Sequence, residues 1–191
     1  MLGINMSNVD TSGTFPRPGS GGYVIEITSA ENNKKKERVE IEFDIVEGRF
    51  AGYYKEMQER LGWHTAKFSK SYKEKALPFF RSFIEVILGS NGNTEGLVIG
   101  DFEDIDETKL IGKRLGMVVG EEEYLGNDGQ KKIRLDNYNA TFVTINTIHS
   151  GNYSIPQLKP LQNSTAVAPV TGVVDTTTNF FGPLNDDDTP F

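Results

Sequence analysis

The segment Arg38-Val-Glu-Ile-Glu-Phe-Asp-Ile45 decides the fold class, because apolar and charged side chains alternate along its whole length. A period of two places Val39, Ile41, Phe43 and Ile45 on one face, which is typical of a half-buried β-strand. The stretch from Tyr23 to Thr28 has the same alternation. A polar turn carrying Lys34, Lys35 and Lys36 separates the two stretches, so we predict an antiparallel hairpin with a basic tip.

Two further elements extend this hairpin. The glycine-containing stretch 47–52 predicts a turn, and a third strand is expected from Tyr53 to Arg60. A helix should follow from about Ala76 to Gly89, because its large apolar residues recur at helical spacing. These residues are Phe79, Phe80, Phe83, Ile84, Ile87 and Leu88.

A second hairpin is predicted near the end of the folded region. Its first strand contains Leu115, Met117 and Val119 and continues towards Leu125. Asn127-Asp128-Gly129 supplies a favourable hairpin turn, since Asp-Gly readily adopts positive φ angles. The return strand should carry Ile133 and Leu135 and then, after a polar interruption, residues 142–145.

The predicted order is three strands, one helix and a terminal hairpin. A mainly β fold of this order, with five strands closed into a barrel and one helix between strands 3 and 4, is the layout of the oligonucleotide/oligosaccharide-binding (OB) fold. An open α+β sheet is the alternative. We expect a flexible leader at 1–22, a domain at 23–160, a flexible linker at 161–185 and an acidic tip at 186–191.

Charge is distributed unevenly along the chain. The formal net charge is −7, and residues 161–191 contain four aspartates and no Lys or Arg, which leaves −3 on residues 1–160. The basic residues cluster around positions 34–38, 67–75, 113–114 and 131–134. Such clusters matter more than net charge when a protein contacts a phosphate backbone. Solvated surfaces also carry clustered charges, so both interpretations remain open.

Catalytic chemistry finds little support in the sequence. There is no cysteine, and the two histidines, His64 and His149, lack metal-ligand spacing. The acidic group at 101–107 lacks the ordered spacing of an EF-hand. No phosphate-binding loop or nucleophile elbow is present. We therefore expect neither an enzyme nor a cofactor or metal, and no run of residues is apolar and long enough to cross a membrane.

Residues 49–72 interleave aromatic rings with cations, which is the composition needed for stacking on bases and contacting phosphates. Because strand alternation separates Tyr53 from Tyr54, at most one of them should stack on a base. Trp63 is the first candidate for stacking, and Tyr124 is a second. Some of these aromatics could equally belong to the core. The candidate nucleic-acid-binding residues are Trp63, Tyr53, Tyr54, Phe68, Tyr124, Lys34, Lys35, Lys36, Arg49, Lys55, Lys67, Lys70, Lys131 and Lys132. We expect Lys34–Lys36 and Lys131–Lys132 to line opposite rims of one groove, although either loop could equally be only a solvated loop.

The C-terminal residues Asp186-Asp187-Asp188-Thr189-Pro190-Phe191 form a compact acidic ligand. A terminal aromatic ring, a free carboxylate and preceding acids suit an apolar pocket rimmed by Arg and Lys. This ending resembles the acidic tip of bacterial single-stranded DNA-binding proteins, which usually finish Asp-Asp-Asp-Ile-Pro-Phe, with Thr189 in place of Ile. The resemblance implies that Asp186, Asp187, Asp188, Pro190 and Phe191 bind partner proteins. A solvated acidic tail is the plain alternative.

The body of the chain resembles a family of bacteriophage single-stranded DNA-binding, replication-associated proteins. The resemblance lies in Gly22-Tyr23-x-Ile25-x-Ile27, Phe43-Asp44-Ile45-x-x-Gly48, Arg49-Phe50-x-Gly52 and Leu110-Ile111-Gly112-Lys113, and it covers about residues 20–150. It implies an OB-fold protein that coats single-stranded DNA during phage replication, recombination and repair in the cytoplasm of the bacterial host. Its tip would recruit replication or recombination enzymes.

Other classes of function remain open at this stage. One is a replication accessory protein, or adaptor, that uses the tail for protein contacts without binding DNA. Another is a structural phage component or a carbohydrate-binding module on the same barrel. The sequence also leaves the oligomeric state open, and a homo-oligomer is among the expectations.

Overall fold

The computed structural model describes residues 16–62, 66–92 and 106–161, and the bounds of its elements follow in chain order. The strands are β1 (Gly21–Asn33), β2 (Arg38–Ile45), β3 (Ala66–Ser71), β4 (Arg114–Val119), β5 (Glu121–Leu125), β6 (Lys131–Leu135) and β7 (Thr141–Val143). The α-helices are α1 (Tyr53–Leu61), α2 (Leu77–Asn91) and α3 (Ile145–Ser150). Short 3-10 turns cover Glu74–Ala76, Glu107–Leu110 and Asn137–Asn139.

Five antiparallel strands form one sheet in the order β3-β2-β1-β4-β7, and this sheet curls into a half-barrel. The long hairpin of β1 and β2 is confirmed, with Asn33 opposite Arg38 at its tip. The predicted helix between the third and fourth strands is also confirmed as α2. Strands β5 and β6 pair only with each other and form a separate two-stranded sheet.

The core lies inside the curl of the sheet, beneath α2. The alternating residues of β2 supply it as predicted, because Val39, Ile41 and Phe43 are each 0% exposed. The buried residues of α2 are Phe80, Phe83, Ile84 and Ile87. This spacing leaves the neighbouring Phe79 on the outside of the helix, with 68% of its surface exposed.

The two edge strands of the half-barrel, β3 and β7, are joined by side chains. They are not hydrogen-bonded neighbours in the sheet. The ring of Phe68 on β3 lies 4.7 Å from that of Phe142 on β7, centroid to centroid. Phe83 of α2 contacts both rings edge-on, at 5.8 Å and 5.2 Å. Aromatic packing therefore covers the seam that strand pairing leaves open.

The prediction of a third strand from Tyr53 to Arg60 is wrong, because these residues form α1 and the third strand is β3. The segment is rich in good helix formers, including Lys, Glu, Met, Gln and Arg. Asp44 of β2 stabilises the first turn, since its carboxylate accepts hydrogen bonds from the backbone N–H of Ile45, Tyr54 and Lys55. Gly52 and Gly62 flank the helix with φ angles of 77° and 63°.

A hairpin turn at Gly129, with φ 72°, is confirmed between β5 and β6. The predicted first strand is divided, because β4 pairs with β1 and β7 while only β5 pairs with β6. The expected continuation of the return strand into residues 142–145 is wrong. The chain turns at Asp136, whose carboxylate accepts hydrogen bonds from the backbone and side-chain N–H groups of Asn139. Asp and Asn favour such local bonds over a continued strand. The fifth strand of the main sheet is therefore the short β7.

Candidate functional site

The turn between β1 and β2 presents three lysines to solvent. Lys34, Lys35 and Lys36 are all exposed. The turn itself is ordered by its backbone, because the N–H of Lys36 donates to the backbone oxygen of Asn33 over 3.0 Å. Glu37 closes the turn with φ 50°, a left-handed conformation. The predicted basic tip is therefore a defined structural feature.

The chain beyond β3 joins this turn. The backbone N–H of Tyr72 donates to the carbonyl of Glu37 over 2.9 Å, and the hydroxyl of Ser71 donates to the same carbonyl over 3.2 Å. Lys73 and Lys75 follow immediately, and both are exposed. We call the group of Lys34, Lys35, Lys36, Lys73 and Lys75 the lysine end. Within the ranges that the structure describes, none of the five ammonium groups has a carboxylate within 4 Å.

Two aromatic residues lie close to the lysine end along the chain. Tyr72 is half-buried, with its hydroxyl donating to Asn32 over 2.9 Å and its ring edge-on to Phe80 at 6.3 Å. Phe79, in the first turn of α2, is exposed. Its helical spacing in the sequence predicted that Phe79 would lie on the buried face of the helix. The signal that could have found it is the spacing of residues 80, 83, 84 and 87, which leaves position 79 at the margin of that face.

The predicted aromatics of residues 50–54 pack mainly against each other. The ring of Tyr54 lies 5.5 Å from Phe43, and burial raises the pKa of its hydroxyl well above the ordinary value. Tyr53 contacts the rings of Phe50 and Tyr54, and burial raises the pKa of its hydroxyl as well. Arg49 lies over the ring of Phe50 at 5.5 Å. Tyr54 therefore belongs to the packed interior, while Arg49 and Lys55 remain exposed.

The three predicted site residues of β3 lie in three different environments. Phe68 is 2% exposed in the core, so its ring offers no face for stacking on a base. Lys67 points outward and forms an ion pair with Glu42, which raises the pKa of the lysine. Lys70 lies on the inner face, with its ammonium 4.3 Å from the ring centre of Phe142 and 5.6 Å from that of Phe83. Burial lowers the pKa of Lys70 to about 8.

The cations of the β5–β6 hairpin are neutralised by neighbouring carboxylates. Lys131 pairs with Glu123 over 3.0 Å, and Lys132 pairs with Asp128 over 2.8 Å. The strand register also sets Arg134 opposite Glu122, and their charged groups are 2.7 Å apart. The same guanidinium lies 5.0 Å from the ring centre of Tyr124 and covers one of its faces. We call these residues the paired hairpin.

The lysine end and the C-terminal part of β6 lie towards opposite ends of β3. The lysine end joins the chain after Ser71, whereas the C-terminal part of β6 approaches Ala66 and Lys67. Six residues of strand separate these positions by roughly 17 Å. The outer face of β2 and β3 between them carries paired charges, including Arg38 with Glu40.

A cleft of about 450 Å³ opens where β3 meets the paired hairpin. Its lining comes from the start of β3, from β5 and β6, and from the 3-10 turn that follows β6: Ala66, Lys67, Glu122, Arg134, Leu135, Asn137 and Tyr138. Tyr138 is 68% exposed. The side-chain oxygen of Asn137 is buried and accepts no hydrogen bond. No residue of the 3-10 turn was among the predicted site residues.

Trp63 and the tip residues Asp186–Phe191 lie outside the described residues, as does His64. Within residues 16–62, 66–92 and 106–161, no group of three or more His, Asp or Glu side chains could hold a metal ion. His149 contacts Glu47, with 2.7 Å between the imidazole nitrogen and the carboxylate. Among the helices of the same ranges, none is long and apolar enough to span a membrane.

Comparison of the sequence with protein-family models and with curated proteins gives no significant match.

Proposed function

We propose that the domain binds single-stranded DNA without strong sequence preference, and that the C-terminal tip recruits replication or recombination proteins. The lysine end carries this proposal. Ammonium groups that are free of carboxylates can neutralise phosphates and release counterions, whereas paired cations must first give up a partner. The exposed ring of Phe79 nearby adds a face on which a base can stack.

The topology supports the same proposal. The sheet order β3-β2-β1-β4-β7, with α2 between β3 and β4, agrees with an OB barrel in which β7 serves as the fifth strand. The packing of Phe68 on Phe142 brings the two edge strands together, as barrel closure requires. The proposed fold is therefore an OB fold closed by an aromatic seam. The proposed setting is phage DNA replication, as the resemblance of the sequence implies.

The proposal is tested by titrating the full-length protein with labelled oligo-dT and measuring fluorescence anisotropy at several salt concentrations. We expect binding that weakens steeply with salt, because counterion release sets the slope. The fluorescence of Trp63, the sole tryptophan, is recorded in parallel, and quenching would assign it to the DNA interface. An absence of binding at low salt would overturn the proposal and favour the adaptor function.

The role of the tip is tested by deleting Asp186–Phe191. We expect the truncated protein to bind oligo-dT with equal or greater affinity, because the negative charges of three aspartates are lost. Recruitment of replication proteins from the host should disappear. The matched control is Phe191→Ala, which keeps the aspartates and should impair recruitment while leaving DNA affinity nearly constant. A clear weakening of DNA binding on truncation would contradict the proposal that the domain binds DNA while the tip binds partner proteins.

A further inference from the structure

We infer that the cleft beside β3 binds one nucleobase of the bound strand and prefers a base with an exocyclic amino group, such as cytosine or adenine. This inference rests on the proposed function and adds a local base preference to it. The cleft lies outside the lysine end, at the other end of β3. A strand that contacts the lysine end and follows β3 would reach it.

The first observation is the unsatisfied amide of Asn137. Its Oδ1 is buried without a donor. A buried acceptor without a donor destabilises the folded chain. This oxygen accepts no hydrogen bond in the folded protein. A rotation of the side chain towards the cleft therefore breaks no hydrogen bond to the oxygen. A ligand that brings an N–H group into the cleft would therefore satisfy an acceptor that the folded chain leaves unpaired.

The second observation is that the Asn137–Asn139 turn is held rigidly. Asp136 anchors it, because its backbone N–H donates to Gly120 and its carboxylate receives the side chains of Asn139 and Lys159. Burial raises the pKa of Asp136, but the hydrogen bonds from Lys159 and Asn139 outweigh burial and hold the pKa below its ordinary value. The backbone of the turn that carries Asn137 is thus held in place, while the side-chain oxygen of Asn137 remains unpaired.

The third observation is the chemistry of the remaining lining. The exposed ring of Tyr138 supplies an aromatic face next to Asn137. Glu122 also lines the cleft, but its carboxylate already accepts a hydrogen bond from Arg134, and Lys67 is paired with Glu42. A volume of about 450 Å³ is in the range of small-molecule pockets. The site therefore offers an aromatic face for stacking and one unpaired acceptor, which matches a nucleobase.

The unpaired acceptor of Asn137 should distinguish among the bases by the group that each base presents to it. Cytosine and adenine present an amino group, with two N–H donors, at the position where thymine presents a carbonyl oxygen. A thymine oxygen facing Asn137 Oδ1 would leave that acceptor unpaired. One neutral hydrogen bond corresponds to a difference of about threefold to tenfold in affinity. We therefore expect (dC)12 to bind about threefold to tenfold more tightly than (dT)12.

The experiment compares (dC)12 and (dT)12 by anisotropy with the full-length protein and four variants. Asn137→Leu should bring the affinity ratio close to one. Tyr138→Ala, a change at an exposed position, should lower affinity for both oligonucleotides, while Tyr138→Phe should keep it. Asn146→Ala, on the exposed side of α3, is the matched control and should preserve the ratio. Thermal melting checks that each variant is folded.

A second readout separates this inference from the proposed function. Mononucleotides dCMP and dTMP are titrated into ¹⁵N-labelled protein, and the side-chain amide signal of Asn137 is identified by its loss in Asn137→Leu. We expect dCMP to shift this signal more than dTMP. Equal binding of both oligonucleotides, with no change in Asn137→Leu, would overturn the base pocket and leave DNA binding intact. If neither oligonucleotide binds, the proposed function fails, and the base pocket is then tested by the Asn137 signal alone. A shift of that signal with dCMP supports the pocket, and the absence of a shift overturns it.

Discussion

The lysine end and the paired hairpin look alike in the sequence, since both contain adjacent lysines near a predicted hairpin turn, but their electrostatic environments differ. Lys34, Lys35 and Lys36 extend from the tip of β1 and β2 without a carboxylate within 4 Å in the described structure. Lys131 and Lys132 are held by Glu123 and Asp128. A cluster of cations in the sequence therefore becomes an available anion-binding surface only where the fold places no acid beside it.

The largest expected effect is on the free energy of unfolding, and it compares a buried ring with an exposed ring in the first turn of α2. Phe80→Ala should lower the free energy of unfolding by about 3–5 kcal/mol, because a buried ring leaves a cavity. Phe79→Ala should change it by less than about 0.5 kcal/mol, since its ring is exposed. Urea unfolding measures both values.

The same Phe79 variant tests stacking at the lysine end. Loss of one base–aromatic stack should weaken binding of oligo-dT roughly fivefold or more. The control in the paired hairpin is Tyr124→Ala, which should leave affinity nearly constant because Arg134 already covers a face of that ring. Equal losses in the two variants would contradict the proposed difference between the regions.

Removing two cations from each region tests the charge comparison directly. Lys34→Gln with Lys35→Gln should weaken oligo-dT binding about tenfold at low salt and reduce the slope of log affinity against log salt by about 1.4, or 0.7 per phosphate contact. Lys131→Gln with Lys132→Gln changes the net charge equally but should alter affinity by less than about twofold. Anisotropy across a salt series measures the affinity and the salt slope of each variant. A larger loss of affinity in the Lys131/Lys132 variant would place the DNA contacts on the paired hairpin instead of the lysine end.

Lys70 provides a further test, at a cation that lies between the two regions on β3. It has no carboxylate partner in the described structure and lies against the rings of Phe142 and Phe83. Its pKa is about 8 in the folded protein and 10.5 when unperturbed. Between these values the unfolded chain binds more protons than the folded chain, so stability rises with pH in this window. Below pH 8 the buried charge opposes folding.

Lys70→Met should therefore increase the free energy of unfolding at pH 7 by about 1–2 kcal/mol and remove the rise between pH 8 and 9.5. The shift alone corresponds to about 3 kcal/mol, but attraction of the ammonium to the ring of Phe142 offsets part of it. Urea unfolding of both proteins at pH 7, 8 and 9.5 provides the measurement. Parallel pH profiles for wild type and variant would show that Lys70 is not the titrating group.

Strong local patterns in the sequence predicted much of the fold. The alternation in β1 and β2, the Asp128-Gly129 turn and the helical spacing of α2 each depend on a few consecutive residues. The α1 helix was missed because its first turn is stabilised from another element, where the carboxylate of Asp44 accepts hydrogen bonds from Tyr54 and Lys55. The candidate site was predicted less completely, since Phe68 and Tyr54 have aromatic rings whose location depends on packing across strands.

The sequence by itself determined the hairpin of β1 and β2, the exposed turn at Lys34–Lys36, the position of α2 and the presence of an acidic C-terminal tip. These features follow from side-chain periodicity and turn chemistry, which act over a few neighbouring residues. Only the tertiary structure decided which cations are neutralised, which rings are buried and where the amide of Asn137 remains unpaired. Each of these depends on which groups from distant segments come within a few ångströms, because hydrogen bonds, ion pairs and burial are properties of contacts in space.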